Sequence, residues 1–110
     1  MSFLETNFKN IVLNHILEFE MLYSRAKIRP TMESVQDTKY GLLILLFDYY
    51  NIISLFEKDE EIINEKFNSI KQFEETILKL PDYMMSLDTM KEIYNQIINR
   101  INEYLFKEET

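Results

Sequence analysis

The segment YGLLILLFDYYNIISLF, Tyr40 to Phe56, limits what this chain can fold into more than any other feature. It carries one carboxylate, Asp48, near its centre. Apolar side chains point in almost every direction around it, so neighbours must cover it on most sides. As a bilayer span it falls short of about 20 residues and contains Asp48, Asn51 and Ser54. The pattern predicts a core helix and no membrane span. Leu45 and Phe47 read as buried positions in it, where truncation to Ala costs roughly 2–5 kcal/mol. Only a narrow stripe through Gly41, Asp48 and Asn51 looks different, and for Asp48 it reads either as a polar line at the bundle edge or as a buried hydrogen bond that fixes helix register.

The rest of the chain has to supply that cover. Gly occurs once and Pro twice, which leaves little turn chemistry for a β-fold. Four helical segments are expected, at about 3–28, 32–57, 60–80 and 84–107. In the first, Phe8, Ile11, Val12, His15, Ile16, Phe19, Leu22, Tyr23 and Ala26 recur at spacings of three and four. Pro30 interrupts it, and Thr31, Ser34 and Asp37 are able to cap the second. Asp59, Glu60 and Glu61 suit the positive end of the third helix. Its stripe is Ile63, Phe67, Ile70, Phe73, Ile77 and Leu80, and Pro81 stops it. The fourth repeats Leu87, Met90, Tyr94, Ile97, Ile101 and Tyr104 at 3.5-residue spacing. The tail KEET is expected to fray.

Short connections between four helices predict an all-α antiparallel bundle, with residues 1–110 as one domain. The alternative is a long bent hairpin at Pro30 whose core is completed by a homodimer. At 110 residues and 46% apolar content there is enough material for a core.

Charge and motifs narrow the chemistry. The net charge is −7, which disfavours direct nucleic-acid binding and favours a basic protein partner. There is no cysteine, hence no disulfide framework and no thiolate metal site. The first residues, MSFLETNFKNIVLNHIL, read as an amphipathic helix and not as a signal peptide. Together these predict a cytoplasmic protein. The abundance of Ile, Asn, Lys, Phe and Tyr suggests a low-GC bacterial, phage or mobile-element genome.

A single Gly excludes nucleophile-elbow and phosphate-loop motifs. The acid pairs Glu57/Glu60 and Glu61/Glu65 lack the second Glu-x-x-Asp half that a magnesium-binding helical pyrophosphohydrolase needs, and read as capping plus a solvated patch. His15 is the lone histidine, and no Glu-x-x-His or H-E-x-x-H motif accompanies it. Asp48, if buried, must find a partner such as Lys, Arg, Tyr or His15.

No catalytic, cofactor or metal site is therefore expected. What remains is a small acidic binding protein: an inhibitor, regulator or immunity-type factor that docks stoichiometrically on a larger protein. Its expected contact residues are Leu13, Leu17 and Met21 on a second face of the first helix, Glu57, Glu60 and Glu61 at the EKDEE corner, and Tyr83, Met84 and Met85 in the last connection. The rival class is a metal-binding or hydrolytic bundle centred on His15, Asp48 and nearby acids.

Overall fold

A computed structural model describes residues 3–106. Four helices form in chain order: α1, Phe3–Ile28; α2, Met32–Phe56; α3, Glu60–Lys79; and α4, Ser86–Asn102. The all-α bundle expected from the sequence is what the chain adopts. The fourth helix is shorter than expected: it begins at Ser86 and gives way to turns after Asn102. The expected end at 107 and the fraying of KEET fall outside the described residues.

The boundaries follow from local chemistry. Thr31 caps α2 by accepting from the Ser34 N–H at 3.0 Å, and the Ser34 hydroxyl accepts from the Thr31 N–H at 2.8 Å. This reciprocal pair satisfies two amides that a helix start leaves open. Asp59 caps α3 through the N–H groups of Glu61 and Ile62. At the far end, Lys39 of α2 donates to the Leu80 carbonyl at 2.6 Å and to Asp82 at 3.0 Å. Gln36 also donates to Asp82, and these two bonds hold the Asp82 carboxyl below its ordinary range. The α3–α4 connection is thereby tied to the side of α2.

Consecutive helices run antiparallel. Phe8 meets Phe56, and His15 meets Asp48, across α1 and α2. Tyr50 of α2 stacks on Phe67 of α3 at 4.8 Å, while Arg100 of α4 lies over the Phe73 ring. Glu20 and Phe19 of α1 reach Lys91 and Tyr94 of α4. Helix α2 also packs closely on α4, its parallel diagonal neighbour. The cross-section is thus a flattened rhombus, with α2 and α4 on the short diagonal and α1 and α3 at the outer corners.

Leu42, Leu45, Tyr49, Ile52 and Ile53 of α2 join Val12, Phe19, Ile77, Leu87, Met90, Ile97 and Ile101 in one core. Among the described residues α2 is the one helix long and apolar enough to cross a bilayer by length and composition. Its buried positions are filled here by three helical neighbours.

The orientation of α2 differs from the sequence reading. Gly41 and Asp48 face inward, against α1: a Cβ on Gly41 would sit 3.1 Å from Leu22 Cδ1 and 3.7 Å from Phe19 Cα. The glycine is there for close approach and not for backbone freedom. Phe47, expected in the core, is 62% exposed. Of the two readings of Asp48 the buried bond holds and the bundle edge does not, while Tyr40, Ile44 and Phe47 meet solvent.

Candidate functional site

Three apolar surfaces, an acidic corner and one polar pair carry what the fold offers for recognition or chemistry. The first surface is the outer face of α1. Val12, Phe19 and Ala26 are fully buried, whereas Leu13, Leu17 and Met21 on the opposite side are 45%, 67% and 56% exposed. Four-residue spacing stacks the three in one line along the helix. Ile28, also exposed, extends it.

The second surface was not legible as such. Tyr40, Ile44 and Phe47 repeat at spacings of four and three along α2, and all are exposed. Beside them lies a groove of about 400 Å³ between α2 and α3, lined by Leu43, Leu46, Phe47, Tyr50, Ile70, Glu74 and Leu78. Its aromatic wall is continuous: Phe47 stacks on Tyr50 at 6.2 Å, and Tyr50 on Phe67. The available signal was the angle between Phe47 and Leu45. Once Leu45, Asp48 and Tyr49 face inward, Phe47, about 160° around the helix from Leu45, is turned toward solvent.

The third surface is the α3–α4 connection. Tyr83, Met84 and Met85 are all more than half exposed. Tyr83 and Met84 line a shallow hollow with Pro30, Met32 and Val35.

The acidic corner is divided. Glu57 is engaged within the molecule, accepting from the Tyr104 hydroxyl at 2.8 Å, while Lys66 donates to the same hydroxyl at 2.5 Å. The Tyr104 bond lowers the Glu57 carboxyl, and burial together with Glu57 pushes the Tyr104 phenol well above its usual range. Glu60 and Glu61 point outward in the first turn of α3. Charge reversal at Glu57 should therefore lower the melting temperature more than reversal at Glu60, which loses only a favourable place in the first turn of α3. Thermal melts of Glu57→Lys and Glu60→Lys check this; equal melting temperatures would show that the Tyr104 bond contributes nothing.

The polar pair lies inside the α1–α2 contact. His15 Nδ1 and Asp48 Oδ2 are 2.5 Å apart. The Asp48 side chain is 6% exposed and that of His15 28%. Burial raises the Asp48 carboxyl above its ordinary value, and the His15 bond pulls it partly back. On α1's other flank, burial raises Glu20, but the bonds from Lys91 and Tyr94 outweigh it and leave this carboxyl below its usual value.

Among the described residues no group of three His, Asp or Glu side chains is placed to hold a metal ion. The sequence-expected contact residues do not converge on one place. Leu13, Leu17 and Met21 share the α1 face, Glu60 and Glu61 lie at the start of α3, and Tyr83, Met84 and Met85 lie in the following connection. No protein-family model matches this chain, and no curated protein or solved structure matches it.

Proposed function

We propose that this protein is a non-enzymatic binding module that docks stoichiometrically on a larger protein through the outer face of α1. The observation that supports this reading is the exposure of Leu13, Leu17 and Met21 along a helix whose other side already fills the core. The exposed part of such a stripe gains nothing from the monomer's own packing, and covering it with a partner removes apolar area from water at about 25 cal/mol per Å². The net charge of −7 favours a partner with basic surroundings over a second acidic copy. An inhibitor, regulator or immunity-type role, in the cytoplasm of a low-GC bacterium or its phage, is the biological form we assign to this binding.

Leu17→Glu tests the reading, because it places a carboxylate in the centre of the stripe. The variant is expected to keep its helical circular dichroism and cooperative melt. It should lose the proteins that the wild-type chain retains in side-by-side affinity capture from the native host. Unfolding of the variant, or capture of the same proteins, would remove the α1 face from the interface.

The His15–Asp48 pair supports a second reading, in which Asp48 orients His15 for acid–base or metal chemistry. Its test is metal content by mass spectrometry, alongside Asp48→Asn. Stoichiometric metal that is lost in the variant would favour this reading over docking.

A further inference from the structure

We propose that the groove between α2 and α3 is a second, separate binding surface, whose occupant is one basic amphipathic helix of another protein. The proposal does not depend on the α1 face, which lies on a different helix.

Shape argues for a helix. The groove runs between two antiparallel helices, and its walls repeat at helical spacings. On α2 the groove is lined by Leu43, Leu46, Phe47 and Tyr50, and on α3 by Ile70, Glu74 and Leu78, each set at spacings of one helical turn. A third helix laid along that furrow packs its side-chain ridges between the two. No strand exists among the described residues, so there is no sheet edge for an extended peptide to join.

Charge argues for a basic occupant. On the exposed α2 face beside the groove, Asp37 and Glu33 lie one and two turns before Tyr40, both exposed. Glu74 lines the groove itself, and Glu60 lies two turns before Phe67 on the α3 side. Lys71 is the one cation on these lines. Lys39, the nearest lysine of α2, is occupied by Leu80 and Asp82. The rim is therefore acidic around an aromatic floor. That pattern matches a helix with aliphatic residues on one face and Lys or Arg beside them, and it repels a second copy of this acidic chain. From Glu33 to Tyr50 the α2 side runs about 26 Å, which is 18 residues of helix.

The probe is a synthetic 18-residue Leu/Lys amphipathic peptide carrying one Trp. The protein has no Trp, so peptide fluorescence reports binding directly. Comparison peptides are the Leu/Glu version, a scrambled Leu/Lys sequence without an apolar face, and a Pro-rich peptide of equal positive charge. The basic amphipathic peptide is expected to bind at one to one, at least about ten-fold more tightly than each comparison peptide. Phe47→Glu and Leu78→Glu change exposed side chains and should keep the cooperative melt while weakening binding about ten-fold or more. Leu17→Glu on α1 should bind the peptide like wild type.

The proposal is overturned if the scrambled, acidic or Pro-rich peptide binds equally well. It is also overturned if both groove variants bind like wild type, or if Leu17→Glu abolishes binding. Sedimentation showing a dimer that Phe47→Glu dissociates would assign the groove to a second copy instead. Unfolding of one groove variant leaves the other, together with the peptide comparisons, to decide.

Discussion

Leu45→Ala is expected to cost about 2–5 kcal/mol in urea unfolding, whereas Phe47→Ala, two positions on, should cost less than about 1 kcal/mol. Leu45 is fully buried in the core. Removing its side chain loses transfer free energy and leaves a cavity that the three packed helices fill only in part. The larger Phe47 is mostly in water, and its truncation loses a stacking contact with Tyr50 and part of a groove wall. The contrast is informative because both residues belong to the same apolar run and would be ranked alike by hydrophobicity. A cost at Phe47 equal to that at Leu45 would mean that α2 is rotated from its orientation here.

His15→Ala is expected to destabilise the protein by about 3–5 kcal/mol near neutral pH, the usual cost of leaving one member of a buried pair uncompensated. Asp48→Asn should cost less, because it removes the charge that burial disfavours and keeps an acceptor near His15. The pH dependence provides an independent check. In His15→Ala only burial acts on Asp48, so its native carboxyl is raised above the unfolded value near 4. A raised carboxyl means that the native state takes up a proton at a higher pH than the unfolded state does. As pH falls from the raised native value toward 4, the native state gains relative to the unfolded one. The variant should therefore recover stability relative to wild type over that window. Melts at several pH values would show it, and a difference independent of pH would mean that the buried charge is not what His15 compensates.

The two results bear on one design feature. A carboxylate in the α1–α2 contact with a single histidine as its partner fixes how α2 is rotated. Rotation by one residue would bury Phe47 but leave Asp48 without His15. The cost of an unpaired buried charge exceeds what burying one more aromatic ring gains. The exposed groove face is in this sense a consequence of the pair.

Helix number, the limits of the first three helices and fold class were legible in the sequence because they rest on local chemistry. Pro30, Pro81 and the caps at Thr31 and Asp59 act within a few residues of themselves, and the stripes of α3 and α4 are narrow enough to have one inward direction. The α1 stripe at Leu13, Leu17 and Met21 was visible for the same reason, since a fixed spacing defines a line on any helix. Which side of α2 faces inward was not legible. A helix apolar nearly all round has no preferred direction of its own, so its neighbours choose. Tertiary structure made that choice through contacts between residues far apart in the chain: His15 with Asp48, and Leu22 against Gly41. Bonds of this kind also drew Glu57 into a link with Tyr104 and tied Lys39 to Asp82, leaving the α2–α3 rim acidic. The sequence by itself determined four helices and their surplus of apolar surface, because spacing and caps are local. Only the packed bundle decided where that surplus meets water, because the rotation of α2 depends on partners that no local pattern specifies.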